Sequence, residues 1–227
     1  MTATTMSKKL LPLVIFCCMP YILYSQGNDF GIWAGLTGKH DFSKRFDAAL
    51  TLSVRTIDNS SAVDQYFAEG GVNYKITSLI SAGGSVRLIS KLEDDMKYHF
   101  RQKLYLNIKG EVPVGNFAFS GRLTYQRAVR AYVEDAGQPQ AESYMRFKLK
   151  ARYETKTSPF GPFISFEPFV PVFDSTKRGI DKTRTSAGIE MKITRKSSME
   201  AAYLYENFTK DGKQGKNILS LAFQQVF

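Results

Sequence analysis

Met145, Phe147, Leu149, Ala151 and Tyr153 interleave one for one with Arg146, Lys148, Lys150, Arg152 and Glu154. A helix would scatter these cations around its circumference. A strand gathers them on one face and the apolar residues on the other. The same period of two recurs along the chain. Phe46, Ala48, Leu50, Leu52 and Val54 oppose Asp47, Ala49, Thr51, Ser53 and Arg55. Tyr66 to Ile76, Ile80 to Leu88, Phe100 to Lys109 and Phe117 to Gln126 repeat the pattern, as do Ile164 to Val170, Ala187 to Ile193 and Met199 to Tyr205. Such runs, of about ten residues or more, exceed the usual 5–6 of globular sheets.

The connections alternate in length. Thr77-Ser78, Pro113 to Asn116, Thr157 to Gly161 and Arg195 to Ser198 are short. Asp58 to Asp64, Lys91 to Lys97, Glu134 to Ala141, Asp174 to Lys182 and Thr209 to Gly215 are longer and more polar. Short turns on one rim and long loops on the other describe a transmembrane barrel. The expected fold is all-β: an antiparallel up-and-down transmembrane β-barrel of about ten strands over residues 46–227, with twelve possible. Residues 26–45 are expected to be an N-terminal segment, either an extra strand or a periplasmic or lumenal extension. A mean hydropathy of −0.25 fits such a barrel, because half of each strand is polar, and excludes a bundle of apolar membrane helices.

Residues 1–25 read as a signal peptide. Met6-Ser7-Lys8-Lys9 is a basic start, Leu10 to Tyr24 is an apolar run, and cleavage is expected between Ser25 and Gln26. Both cysteines, Cys17 and Cys18, lie in this segment, so the processed chain would have no thiol chemistry. Loss of Lys8 and Lys9 lowers the formal charge from +10 to +8. Phe227 ends an alternation of Leu219, Leu221 and Phe223. That ending resembles the C-terminal signal that barrel-assembly machinery reads in bacterial outer-membrane proteins. Together these features place the chain in the bacterial outer membrane, against lipid and lipopolysaccharide. A soluble periplasmic barrel with its apolar face inward is the alternative.

The sequence is also similar to the Bacteroidota outer-membrane barrel family catalogued as domain-of-unknown-function family 2490. The resemblance is carried by Trp33 after Asp29-Phe30-Gly31, by Val54-Arg55, by Gly71 to Ile76, by Arg146 to Tyr153 and by Pro162 to Phe169. It implies a barrel of about ten strands in the outer membrane and implies no activity. Asp174-Ser175-Thr176 is similar to the short O-glycosylation signal of Bacteroidota.

No catalytic, metal or cofactor motif stands out. The two histidines, His40 and His99, lack the carboxylate spacing of a recognised metal site. The alternative among enzymes is an outer-membrane lipid-modifying acyl hydrolase, which would use a Ser and a His near the lipid interface. No Gly-x-Ser-x-Gly elbow occurs, and His99 shares parity with the polar Arg101 and Lys103. No Gly-rich phosphate loop or aromatic-basic platform suggests nucleic acid. The candidate functional feature is a lumenal charge ladder: Glu69, Arg87, Arg101, Arg122, Arg146, Lys150, Arg152, Glu167, Arg184, Glu190, Lys192 and Glu200. Turn arithmetic pairs Glu69 with Arg87, Lys150 with Glu167 and Lys192 with Glu200. A plugged, structural or ligand-interacting barrel is expected, with a small anion-preferring channel as the sharper alternative.

Overall fold

The computed structural model describes residues 29–130, 141–154, 158–173, 179–209 and 215–227. These residues form eleven strands: β1 (Asp29–Asp41), β2 (Phe46–Ile57), β3 (Ala62–Lys75), β4 (Ile80–Leu92), β5 (Tyr98–Val114), β6 (Phe117–Arg130), β7 (Ala141–Tyr153), β8 (Phe160–Val172), β9 (Lys182–Lys192), β10 (Ser197–Phe208) and β11 (Lys216–Val226). Each pairs with its chain neighbours, and β1 closes on β11. The predicted signal peptide, with Ser25 and Gln26, and the Asp174-Ser175-Thr176 tripeptide lie outside the described residues.

The strand count corrects the expectation of ten or twelve. Asp29–Asp41 is a strand of the barrel wall, antiparallel to β2 and parallel to β11. The ladder to β11 runs from Asp29↔Lys216 to Lys39↔Val226. An odd number of up-and-down strands leaves one pair that must close in parallel. Asp29 therefore shares a rim with the long connections, while Phe227 sits at the rim of the short turns. Even parity, which would bring both ends to one rim, does not hold.

Local chemistry accounts for the turns. The two-residue Gly115-Asn116 connection needs positive φ at its first position, and Gly115 supplies it at 60°. Gly31 permits a close approach of β1 to β2, since a Cβ there would lie 2.6 Å from the Thr56 carbonyl oxygen. β2 and β3 slip register between Arg55 and Thr56. Such a bulge bends a strand and re-aims its side chains.

Leu36, Leu50, Leu52, Val72, Leu106, Ile108, Leu149 and Ile164 are exposed on the outside. A continuous apolar exterior of this extent is a lipid-facing surface rather than a water-facing one. The inward-apolar soluble barrel is thereby overturned. At the usual tilt of about 40°, a 12-residue strand spans about 30 Å, the thickness of a bilayer core. Outward aromatics gather at both rims, with Tyr66 against Tyr98 at 5.5 Å and Phe117 against Tyr153 at 5.2 Å. Phe163 shares the alternating parity of the lumen side and is buried inside.

Candidate functional site: a charged lumen closed at mid-height

The interior is part ion-pair network and part apolar core. Phe163, Ala202, Leu204 and Ile218 form a buried cluster inside the barrel, with Trp33 packed against it. Phe67 and Tyr105 are also buried. These inward apolar residues were invisible to a reading that assigned all polar side chains to one face and all apolar ones to the other.

Beside this cluster lies Glu167, which is 1% exposed. Arg146 Nη2 donates to Glu167 Oε1 at 2.9 Å. Arg122 and Arg184 each approach the same carboxylate at 3.5 Å. β-sheet register builds the arrangement. Arg122 faces Lys148, Glu167 faces Arg184, Arg184 faces Glu206, and Glu206 faces Lys216 on successive strands. The row climbs around the wall because the strands tilt. A buried carboxylate needs such compensation, since leaving one uncompensated costs several kcal/mol.

The Glu167 belt and the apolar cluster separate two cavities. One, of about 410 Å³, lies toward the long-loop rim. The other, of about 440 Å³, lies toward the short-turn rim and is lined by Lys109, Arg122, Lys148, Arg152, Glu190 and Glu200, among others. Arg146 and Arg184 line the first, and Arg122 lines the second. Glu167 is thus clamped from both sides.

The ladder residues sort by this geometry. Glu69 lies opposite Arg87, and the Arg87 guanidinium donates to Glu69 Oε2 at 2.5 Å. Lys150 lies opposite Ser165 rather than Glu167, and Lys192 opposite Ser198 rather than Glu200. Both of these pairings are two residues out of register, because the turns come earlier in the chain than expected: the connections run over 154–159 and 193–196 rather than Thr157 to Gly161 and Arg195 to Ser198. Lys150 instead reaches past β8 to Glu190, with which it is in contact, and to Glu200 at 3.4 Å. It thereby bridges two carboxylates that face each other across β9 and β10. Arg152 joins Glu190 at 2.5 Å and Glu111 at 3.4 Å. Arg101 pairs with Glu93. Lys192 is exposed at the short-turn rim and has no ion pair among the described residues.

Residues 30–217 match a family described as protein of unknown function, DUF2490. The chain belongs to this family. No match is found among curated proteins. Among solved structures, the chain is similar to one described as the NanC porin, with 13% identity, 78% of this chain and 85% of that one covered, and a TM-score of 0.50. It is also similar to the outer-membrane expressed OmpT of Vibrio cholerae, with 13% identity, 78% and 61% covered, and a TM-score of 0.41, too low to carry an argument. The first likeness shows the fold alone. The fold is that of outer-membrane barrels.

The histidines are far apart in this DUF2490 barrel. His40 lies near the short-turn rim, edge-on to Phe42 at 4.7 Å. His99 is at the long-loop rim, with Nε2 2.8 Å from Asp95 Oδ2. In that loop the hydrogen bond with His99 holds the Asp95 carboxyl below its ordinary range. His99 lies on the lumen side of the wall, away from the lipid face. Among the described residues no cluster of three or more His, Cys, Asp or Glu side chains is placed to hold a metal.

Several inward residues absent from the predicted ladder prove central. Arg184 donates to Glu206 at 2.5 Å, and Lys182 lies 3.4 Å from it. Arg55 stacks on Trp33, its Cζ 3.8 Å from the ring centroid. Lys150 lies over Phe163 at 3.7 Å, and Arg146 over Phe169 at 4.6 Å. Parity alone could have found Arg55, Lys182 and Glu206. The inward aromatics that cap the cations needed the closed barrel to be seen.

Proposed function

We propose that this protein is a non-enzymatic integral outer-membrane barrel whose lumen is closed at mid-height, a structural or ligand-interacting protein rather than an open pore. The observation that carries this reading is the belt in which Arg146, Arg122 and Arg184 clamp the buried Glu167 beside the interior apolar cluster. A narrow barrel whose cross-section is filled by paired side chains has little free path for water. Export by a signal peptide cut between Ser25 and Gln26 belongs to the same proposal. So does assembly through the C-terminal strand. Leu219, Leu221 and Phe223 alternate there with the lumenal Ile218, and the Phe227 amide donates to the Lys39 carbonyl across the closing seam.

Planar-bilayer recording of the refolded protein tests the closure. Wild type is expected to give no stepwise current. Glu167→Ala, which leaves three guanidiniums facing one another, is expected to open an anion-selective leak. Regular stepwise conductance from wild type would overturn the closed-barrel reading and promote the anion channel, a use that the likeness to a structure described as a porin would then support.

A further inference from the structure

The cavity toward the long-loop rim is short of negative charge. Ten basic side chains line it: Arg55, Arg87, Lys91, Arg101, Lys103, Arg130, Arg146, Lys182, Arg184 and Lys216. Eight of them reach a described carboxylate. Arg87 has Glu69, Lys91 has Asp64, Arg101 has Glu93, Arg130 has Glu142, Arg146 has Glu167, Lys182 and Arg184 share Glu206, and Lys216 has Asp29. Arg55 and Lys103 have none among the described residues. The Nε of Arg55 is buried without a hydrogen-bond acceptor.

These two cations belong to one cluster. Arg55 and Arg87 lie over the same Phe67 ring, at 5.0 and 4.0 Å from its centroid. Lys103 faces Arg87 directly across β4 and β5. The carboxylates nearest the cluster are already engaged. Glu69 accepts from Arg87 and from the Ser85 hydroxyl, and Glu206 accepts from Arg184 and Lys182. Aromatic faces stabilise a guanidinium by about 0.5–2 kcal/mol, well short of the several kcal/mol that burying a charge costs. The extra residue of the bulge opposite Arg55 and Thr56 is Asp64 on β3, and Asp64 and the adjacent Gln65 both line the cavity. Two half-buried cations, each next to Arg87, are therefore held without a carboxylate of their own.

We infer that this cavity binds a divalent oxyanion, phosphate or sulfate, free or as the monoester of a small organic solute, with Arg55 and Lys103 as its principal ligands and Arg87 beside them. Two negative charges match the two unmatched cations. A tetrahedral oxyanion presents enough acceptors for a guanidinium fork and an ammonium together. About 410 Å³ exceeds what a bare ion needs and lies within the range of small-molecule sites. The inference does not rest on whether the belt conducts.

Trp33 is the sole tryptophan and touches Arg55, so its fluorescence reports the site. Refolded wild type is titrated with inorganic phosphate, inorganic sulfate and glucose 6-phosphate at constant ionic strength, with chloride and glucose as controls, and calorimetry runs in parallel. Saturable binding of at least one divalent anion is expected, with none for the controls. Equal binding of phosphate and its ester would assign the free ion, and preference for the ester would assign an organic solute. Arg55→Met and Lys103→Met are each expected to weaken binding by about tenfold to 100-fold. In anion-free buffer both variants are expected to match or exceed wild type in urea resistance, because each removes a half-buried charge that has no carboxylate partner. That separates lost binding from lost folding. Absence of saturable binding by all three divalent anions, or unchanged binding in both variants, overturns the site.

Discussion

Replacing Glu167 by Gln keeps the size of the side chain and removes its charge. At an effective dielectric of about 20, a unit-charge pair at the 2.9 Å separation of Arg146 and Glu167 is worth about 6 kcal/mol, and one at the 3.5 Å of Arg122 and Arg184 about 5 kcal/mol. These gains are not additive. The Arg122 side chain is 39% exposed, so water screens its share. Desolvation of the carboxylate and guanidiniums offsets several kcal/mol per ion. What survives is the asymmetry of a buried network. Removing the one carboxylate leaves three guanidiniums converging on a neutral amide, and the expected loss is about 3–5 kcal/mol. Glu200→Gln is the matched control. Its side chain is 38% exposed and its Lys150 contact is 3.4 Å long, so about 1 kcal/mol or less is at stake. Urea unfolding followed by Trp33 fluorescence reads both. With a slope of about 2 kcal/mol per molar urea, Glu167→Gln should lower the midpoint by about 1.5–2.5 M and Glu200→Gln by about 0.5 M or less. Equal shifts for the two variants would refute the claim that the belt, rather than lumenal ion pairs in general, holds the barrel interior together.

Two further outcomes follow from the packing and the topology. Gly188→Ala should destabilise by about 1–3 kcal/mol through overpacking, because its Cβ would lie 2.5 Å from the Ala201 carbonyl oxygen and 2.6 Å from Ala202 Cβ. Gly110→Ala, which meets nothing within 4 Å, should change the same urea midpoint by less than about 0.5 kcal/mol equivalent. In intact cells, Asp29→Cys and Asn59→Cys should react alike with a membrane-impermeant maleimide while Lys196→Cys does not, and opposite behaviour of Asp29 and Asn59 would refute the eleven-strand closure.

The interior resembles a protein core for a physical reason. Transmembrane barrels place apolar side chains outward, and a lumen this narrow is filled by the side chains that meet inside it rather than by water. This chain fills part of it with Phe163, Leu204 and Ile218. It fills the rest with ion pairs whose arginines lie against aromatic rings, such as Arg55 on Trp33 and Arg146 on Phe169. The rings exclude water from one side of each guanidinium and leave the other for a carboxylate. Where the carboxylate is missing, at Arg55 and Lys103, the site is built for an anion that the chain does not itself supply.

Much of this was legible in the sequence. Strand identity, the two-faced alternation from Met145 to Glu154 and the opposition of Glu69 to Arg87 follow from period two and a tight turn, which are local properties. The family resemblance agrees with the match over residues 30–217. Three things waited for the tertiary structure. Alternation is symmetric between in and out, so only closure of the sheet could say that Leu50 and Leu106 point to lipid. Strand parity depends on whether Asp29–Asp41 finds an edge to pair with, and β11 supplies that edge only once the barrel has curled. Register across the connections 154–159 and 193–196 sets which charges meet, and a shift of two residues moved Glu167 from Lys150 to a clamp of three arginines. Period and pattern are short-range, whereas the meeting of charges across a lumen is decided by the circumference of the closed wall.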